Sequence, residues 1–203
     1  RLQDLTLNFR SGLNIIVAGS TQAGKTTVLN ALLGCVPAHE RIVACEEVFE
    51  VRLEHSDSVS LQTRDAGVEG RGAITLRRLV REALRMRPTR LVVGEVRGEE
   101  SLDLLVAMNS GLPAMATIHA NTPRDAIGRL EQMLGMTGMP MTVQSIRSQI
   151  SSAIDLIVQL TRLSDGKRKV TSVAEVTGME GDVIQMQEIF RFGCFLLLRQ
   201  PLA

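Results

Sequence analysis

Residues 19–27 read Gly-Ser-Thr-Gln-Ala-Gly-Lys-Thr-Thr and fit the pattern G-x-x-x-x-G-K-[ST]. The apolar residues 13–18 before the pattern predict a buried strand, and residues 28–33 after it predict a helix. A phosphate-binding loop needs this order, because its glycines let successive backbone N–H groups curl around a phosphate chain at the positive end of a helix. In such a loop Lys25 reaches the β- and γ-phosphates and the Thr26 hydroxyl binds Mg²⁺. The motif therefore predicts an α/β fold that binds a nucleoside triphosphate.

Lysine is rare in this chain, which makes its presence in the loop informative. Only Lys25, Lys167 and Lys169 are lysines among 23 Lys and Arg residues, so lysine at position 25 indicates a chemical requirement. A G+C-rich genome would also explain the excess of arginine. We expect ATP to be bound by the whole loop, namely by Gly19, Ser20, Thr21, Gln22, Ala23, Gly24, Lys25, Thr26 and Thr27.

Composition limits the class of protein and of partner. A chain of 203 residues with 44% hydrophobic and 22% charged residues suits one globular α/β domain. The formal net charge of +1 gives no electrostatic surface typical of nucleic-acid binding, and the lack of Trp and Tyr argues against stacking of bases. We therefore expect no direct contact with nucleic acid.

The cysteines and the hydropathy pattern predict a cellular compartment. Cys35, Cys45 and Cys194 form no C-x-x-C pair and no zinc-binding spacing, which favours a reducing environment. Cys45 lies in an apolar stretch, so we expect its thiol to be buried. No apolar run reaches the length of a membrane span, and no signal peptide is visible. These features predict a cytoplasmic protein.

Strand-like runs alternate with segments of helical periodicity along most of the chain. After the loop, strands are predicted at residues 41–45, within 51–62, at 91–94 and at 114–118. Helices are predicted at 76–86, at 99–109, from Thr122 and Pro123 onwards, and over 143–154. Residues 156–192 predict hairpins with turns at 164–167 and 180–182. The expected fold is a mostly parallel sheet flanked by helices, with C-terminal β-hairpins.

Several polar residues follow the predicted strands directly. The phosphate loop follows the first strand, Glu46 the second, Glu95 the third and His119 the fourth, and ligands bind at this edge of open α/β sheets. Glu46, with Glu47 and Glu50 beside it, would orient or deprotonate the water that attacks a γ-phosphate. An acidic turn in solvent is the alternative interpretation of these three carboxylates.

The later strands suggest further roles at the same edge. Glu95 is placed to hold Mg²⁺ together with Thr26, directly or through water. Arg97 either pairs with Glu95 or faces phosphate. His119 would touch the γ-phosphate region, although a histidine after a strand is usually structural.

Arginines before the third strand are candidates for stabilising charge in the transition state, often across a subunit boundary. These candidates are Arg64, Arg71, Arg85 and Arg87. The alternative, a solvated basic face, is expected for Arg77, Arg78 and Arg81.

Four sequence blocks together resemble one family, the secretion ATPases of type II and type IV systems and of type IV pili. They are a Walker A loop at 19–27, an Asp box at 45–50, an atypical Walker B block at 93–97 and a His box at 115–121. The resemblance covers residues 13–192. The most similar branch is that of the tight-adherence (Flp) pilus ATPases of CpaF type.

This resemblance implies a RecA-like P-loop NTPase that hydrolyses ATP with Mg²⁺ to ADP and phosphate. Glu46 corresponds to the general base of the Asp box, Glu95 to the Walker B acid and His119 to the His-box histidine. The family implies a homohexameric ring with ATP at the subunit boundaries, peripheral to the inner membrane and in contact with platform proteins. We expect a RecA-like core in residues 1–160 and a hairpin extension of the same domain in 161–203.

Some features depart from the family pattern. Glu47 stands where the family has Asp, residues 111–113 replace a Gly-His start of the His box, and residues 192–203 do not look like a family C-terminus. The N-terminal domain that closes over nucleotide in the family is not represented, so we expect poor assembly and slow turnover. The alternatives are a RecA-like motor that translocates nucleic acid, or a remnant that binds nucleotide without hydrolysing it.

Overall fold

A computed structural model describes residues 12–192 of the chain. This part contains eight strands and five helices. In chain order they are β1 (Ile15–Gly19), α1 (Lys25–Leu33), β2 (Ile42–Glu46), β3 (Ser58–Gln62), α2 (Leu76–Arg85), β4 (Arg90–Val96), α3 (Glu100–Asn109), β5 (Ala114–His119), α4 (Pro123–Gly135), α5 (Val143–Ala153), β6 (Leu156–Arg162), β7 (Arg168–Glu180) and β8 (Val183–Arg191).

All eight strands form one sheet in the order β3-β2-β4-β5-β1-β6-β7-β8. Neighbours from β3 to β6 run parallel, whereas β6–β7 and β7–β8 are antiparallel pairs. The predicted α/β architecture, with a mostly parallel sheet and C-terminal hairpins, is therefore confirmed. The expected division after residue 160 falls within β6, which pairs with β1 in the centre of the sheet.

Both faces of the central sheet are buried, as is usual for parallel strands. In β1, alternate side chains face opposite layers: Ile15 and Val17 pack with α1, whereas Ile16 and Ala18 pack with residues of α2 to α5. Cys45 is fully buried, as predicted, and burial raises the pKa of its thiol to about 12. The carboxyl edge of the sheet is therefore held between two packed layers.

The boundaries of several elements differ from the predictions. α1 begins at Lys25 instead of residue 28, whereas the one or two strands predicted within residues 51–62 are confirmed as the single strand β3. β4 continues to Val96, so Glu95 lies within this strand rather than after it. The start of α4 is confirmed, because the Thr122 hydroxyl accepts a hydrogen bond from the Asp125 N–H at 3.0 Å.

The basic face of α2 is only partly solvated. Arg77 and Arg81 each donate to the Asp103 carboxylate of α3, at 2.9 Å, so these two side chains join neighbouring helices. No helix among residues 12–192 is long and apolar enough to cross a membrane. Residues 193–203, which include Cys194 and most of the atypical tail, lie outside the described part of the chain.

Candidate nucleotide-binding site

The phosphate loop connects β1 to α1 without a side-chain cap on the helix. Gly24 is the N-cap residue and adopts φ +95°, a conformation that favours glycine because it has no Cβ. Threonine hydroxyls cap α2, α4 and α5 instead. The first N–H groups of α1 therefore have no side-chain partner, which is the arrangement that binds phosphate at a helix start.

A cavity of about 860 Å³ opens beside this loop at the carboxyl edge of the sheet. Six of the predicted loop residues line it: Thr21, Gln22, Gly24, Lys25, Thr26 and Thr27. Gly19, Ser20 and Ala23 form the base of the turn, where the Ala23 N–H donates to the Ser20 carbonyl at 3.2 Å. The structure thus places the predicted loop around a space large enough for a nucleotide.

Lys25 extends into the cavity and lies near two oxygen groups. Its ammonium is 3.5 Å from Glu95 Oε1 and donates to the Ser20 carbonyl at 3.4 Å. The side chain is only 12% exposed. A lysine held in this position can bind a phosphate as a point charge.

A β-bulge places Glu95 at the cavity. Gly94 and Glu95 of β4 lie opposite the single residue Thr117 of β5, because the register shifts between Val93 and Val96. The Thr117 hydroxyl donates to the Gly94 carbonyl at 2.6 Å and closes the bulge. Bulges of this kind re-aim side chains next to functional sites.

Arg97 pairs with Glu95, which decides between the two predicted positions of its side chain. Its Nε donates to Glu95 Oε2 at 2.8 Å, and its Nη1 donates to Glu47 Oε2 at 2.7 Å. The bond to Glu95 and the charges of both carboxylates raise the pKa of the Arg97 guanidinium further. Glu95 is therefore held between Arg97 and Lys25.

Glu46 ends β2 and is 1% exposed. Its Oε1 accepts the N–H groups of Glu50 at 3.0 Å and Val51 at 2.8 Å, whereas its Oε2 has no hydrogen-bond partner among the described residues. Burial raises the pKa of this carboxyl, the two backbone hydrogen bonds oppose the rise, and the charge of Glu50 adds to it. Glu46 thus anchors the loop that follows β2.

Gly94 is required by the close approach of Glu46. A Cβ atom at position 94 would lie 2.9 Å from Glu46 Cγ, closer than side chains pack. The sequence offered no signal for this contact, because residues 46 and 94 meet only across the β2–β4 pair.

Glu50 reaches the phosphate loop, a position that the sequence did not distinguish from those of its acidic neighbours. Its Oε2 accepts a hydrogen bond from the Thr26 hydroxyl at 2.8 Å. Asn30 of α1 fixes the same segment, because its Nδ2 donates to the Glu50 carbonyl at 3.3 Å and its Oδ1 accepts the Arg52 N–H at 2.9 Å. The Glu50 carboxylate is therefore held at the predicted metal-binding hydroxyl.

His119 and three arginines complete the cavity. His119 ends β5 in register with Gly19, and its Nδ1 lies 3.5 Å from the Thr21 hydroxyl. Arg97, Arg129 and Arg168 line the cavity, and the last two were not singled out from the sequence. The four candidate arginines of the earlier segment, Arg64, Arg71, Arg85 and Arg87, do not line it, so their role across a subunit boundary stays a prediction.

The oxygen groups of the cavity fit a magnesium ion whose remaining ligands come from the nucleotide and from water. No group of three or more His, Cys, Asp or Glu residues within 12–192 could hold a metal ion alone. Mg²⁺ at nucleotide sites is bound by one or two protein oxygens, together with phosphate oxygens and water. Thr26, with the carboxylates of Glu50 and Glu95 on the same cavity, supplies hard oxygen donors of this type.

Comparison with known proteins gives consistent matches in sequence. The family model described as "Type II/IV secretion system protein" matches residues 5–191. A putative conjugal transfer protein of Mycobacterium tuberculosis is 43% identical over 172 residues, which cover 84% of this chain and 48% of that protein. The type IV secretion system protein PtlH of Bordetella pertussis is 36% identical over 175 residues, which cover 83% of this chain and 52% of PtlH.

The fold also matches a solved structure. The VirB11 ATPase from the Brucella suis type IV secretion system, crystallised in complex with sulphate, superimposes with a TM-score of 0.72 and 28% identity. The match covers 81% of this chain and 50% of the VirB11 chain. It confirms the predicted RecA-like P-loop fold. This chain spans about half the length of the curated relatives that it matches.

The sequence match is not restricted to the phosphate loop. It extends from residue 5 to Arg191, the end of β8, and so includes every strand that forms the cavity edge. The family-level resemblance is confirmed, whereas the tight-adherence branch stays a prediction. The chain belongs to the type II/IV secretion system protein family, which it shares with the VirB11 ATPase.

Proposed function

We propose that this chain hydrolyses ATP to ADP and phosphate and thereby powers pilus assembly or protein secretion by a type II/IV secretion system. One observation carries the proposal: a single cavity joins the phosphate loop and Lys25 to the carboxylates of Glu50 and Glu95. Phosphoryl transfer to water needs both kinds of group around the same phosphate. Nucleotide binding without turnover would need only the phosphate loop and Lys25.

The proposed roles follow the positions of the side chains. The loop backbone and Lys25 bind the β- and γ-phosphates, and Arg97 orients Glu95. A Mg²⁺ ion held by Thr26, and by Glu95 directly or through water, would neutralise charge on the phosphate oxygens. His119 contacts the γ-phosphate region from the end of β5.

We assign the activation of water to Glu50, in place of the role that the sequence gave to Glu46. A general base must lie within hydrogen-bond reach of the water that it deprotonates. Glu46 is 1% exposed, and its Oε1 is bound to the backbone of residues 50 and 51. Glu50 lies at the Thr26 hydroxyl, beside the proposed position of the γ-phosphate. Glu46 then acts by holding Glu50 in place.

The assembly and its location are part of the proposal. The resemblance to secretion ATPases supports a homohexamer on the cytoplasmic side of the inner membrane, in contact with platform proteins. The tight-adherence pilus is the finer version of this assignment. In the whole ring, arginines outside the cavity, such as Arg64 and Arg71, would face the nucleotide of a neighbouring subunit.

A second candidate function is translocation of nucleic acid, because the relative from M. tuberculosis is named a putative conjugal transfer protein. The net charge of +1 and the absence of Trp and Tyr favour secretion over direct contact with DNA. Stimulation of turnover by single-stranded DNA distinguishes the two candidates.

The test is the steady-state ATPase rate of the purified chain, measured with and without single-stranded DNA, beside Lys25→Ala. We expect the wild type to hydrolyse ATP at a rate that does not depend on DNA. The Lys25→Ala variant should have no turnover and should bind ATP at least about tenfold more weakly than the wild type. Stimulation by DNA would support translocation instead. ATP binding without turnover, at concentrations that drive ring formation, would identify a nucleotide-binding remnant and contradict the proposal.

A further inference from the structure

Arg168 lies directly over the turn of the phosphate loop. It is the first residue of β7, and its Cδ is 3.4 Å from the position that a Cβ of Gly24 would occupy. Its side chain is exposed and lines the same cavity as Lys25. The C-terminal hairpin thus brings the Arg168 side chain against Gly24, the N-cap residue of α1.

Charge pairing and position together distinguish Arg168 from the other cavity arginines, because Arg97 is paired with carboxylates and Arg129 does not lie against Gly24. Four carboxylates line the cavity, and Arg97 pairs with two of them, Glu47 and Glu95. Lys25 lies 3.5 Å from Glu95. Within residues 12–192, Arg168 has no hydrogen bond and no ion pair through its side chain, so its guanidinium is not neutralised by a carboxylate of the described chain. An unpaired guanidinium can form charge-assisted hydrogen bonds to phosphate oxygens.

The hairpin holds Arg168 in a fixed relation to the loop. β6 runs parallel to β1 as far as the pair Gly19–Leu160, and a Cβ at Gly19 would lie 3.0 Å from the Leu160 carbonyl. Arg162 pairs with Arg168 across the hairpin and donates to Gln22 Oε1 at 3.3 Å. Two contacts therefore fix the start of β7, where Arg168 lies, relative to the phosphate loop: the pairing of β6 with β1 and the bond from Arg162 to Gln22.

We propose that Arg168 binds the phosphates of the nucleotide held by its own subunit, as a cation supplied in cis by the C-terminal hairpin. The inference rests on the proposed function, because it takes the ligand of the cavity to be ATP. Arginine suits this role because its planar guanidinium can donate two parallel hydrogen bonds to phosphate oxygens. It would supply positive charge without an arginine from a neighbouring subunit.

The test compares Arg168→Ala with Arg168→Lys and with Lys167→Ala, a matched control. Lys167 precedes Arg168, pairs with Asp165, is 71% exposed and does not line the cavity. The dissociation constants of ATP, ADP and AMP are measured by calorimetry for each variant. We expect Arg168→Ala to weaken ATP binding by at least about tenfold, the loss of one charge-assisted hydrogen bond, with a smaller loss for ADP and none for AMP.

The control and the conservative variant sharpen the result. Arg168→Lys should recover part of the ATP affinity, and Lys167→Ala should bind all three nucleotides as the wild type does. Unchanged ATP binding by Arg168→Ala, or an equal loss for ATP, ADP and AMP, would overturn the inference. If the wild type binds ATP through Lys25 and Arg168→Ala has no effect, only the role of Arg168 fails. If the wild type binds no ATP, the proposed function and this inference fail together.

Discussion

The two walls of the nucleotide cavity differ in the pairing of their charges, and only the acidic wall contains a buried charged residue, Glu46. The acidic wall, formed by Glu46, Glu50 and Glu95, is fixed by hydrogen bonds to the backbone, to Thr26 and to basic side chains. The basic wall, formed by Arg129 and Arg168, consists of exposed side chains without an ionic partner among residues 12–192. Hydrogen bonds therefore fix the three carboxylates in position, whereas Arg129 and Arg168 are available to bind an anion.

The difference between Glu46 and the two arginines follows from the cost of burying charge. A buried carboxylate is stable only when hydrogen bonds compensate for lost hydration, and Glu46 obtains two from the segment that it anchors. An exposed arginine stays hydrated in the folded chain, so leaving its charge unpaired costs little free energy. A bound phosphate can then replace the water around the guanidinium. Substitutions in the acidic wall should therefore change catalysis and folding, whereas those in the basic wall should change nucleotide affinity.

The largest expected effect on the acidic wall comes from Glu50→Gln. If Glu50 activates water, this variant should lower kcat by about 10²- to 10⁴-fold, because the amide cannot accept the proton. ATP affinity should change little, since the phosphate loop is intact. Single-turnover hydrolysis and equilibrium ATP binding separate the two quantities. Glu47→Gln is the matched control, because Glu47 lines the same cavity but pairs with Arg97. A larger loss of kcat in Glu46→Gln than in Glu50→Gln would return the base to Glu46.

Asn30→Ala should have a smaller effect that acts through Glu50. Asn30 holds the backbone on both sides of Val51, so its loss should let Glu50 move away from Thr26 and lower kcat by about tenfold, as expected for about 1.4 kcal/mol. The same substitution in a Glu50→Gln background should lower kcat no further. Additive losses in the double variant would show that Asn30 acts independently of Glu50.

The sequence revealed the acidic wall better than the contacts within it. Glu46, Glu95 and His119 could be predicted because each comes at or near the carboxyl end of an apolar strand, and parallel strands bring those ends to one edge. The bulge at Glu95 and the bond from Thr26 to Glu50 depend on pairing between distant segments. This pairing cannot be predicted from residue types and local spacing.

The basic wall was hidden for a related reason. Arg168 follows a predicted turn, and nothing local distinguishes it from the neighbouring Lys167 and Lys169. Its position over Gly24 depends on β6 pairing with β1, a contact between residues about 140 positions apart. Of the arginines predicted to act, Arg97 lines the cavity, whereas the candidates for action across a subunit boundary lie before the third strand and none of them lines it.

Gly94→Ala tests the packing behind the acidic wall. The added methyl group would lie 2.9 Å from Glu46 Cγ, so we expect a free energy of unfolding lower by about 1–3 kcal/mol. Urea denaturation of the variant and the wild type measures this loss. In a Glu46→Ala background the collision disappears, and the same glycine substitution should cost less. An equal cost in both backgrounds would show that another contact is responsible.

The smallest expected effect is a pH dependence of stability that belongs to Glu46. Burial raises the pKa of this carboxyl in the folded chain above its usual 4.5, so between the two values the folded state holds a proton that the unfolded state has released. Stability from this group is therefore complete below pH 4.5 and is lost as pH rises through the folded pKa. Glu46→Gln cannot titrate, so its stability relative to the wild type should increase with pH across that window and then level off.

Urea denaturation of both proteins from pH 4.5 to 8 measures this difference, and contributions common to both chains cancel in it. Glu50→Gln adds a second check, because the Glu50 charge contributes to raising the Glu46 pKa and its removal should move the window to lower pH. A difference that stays constant with pH, or that favours the wild type as pH rises, would contradict a raised Glu46 pKa. Glu46 would then be ionised at no cost to the fold, and the contrast between the buried Glu46 and the exposed arginines of the basic wall would lose its electrostatic basis.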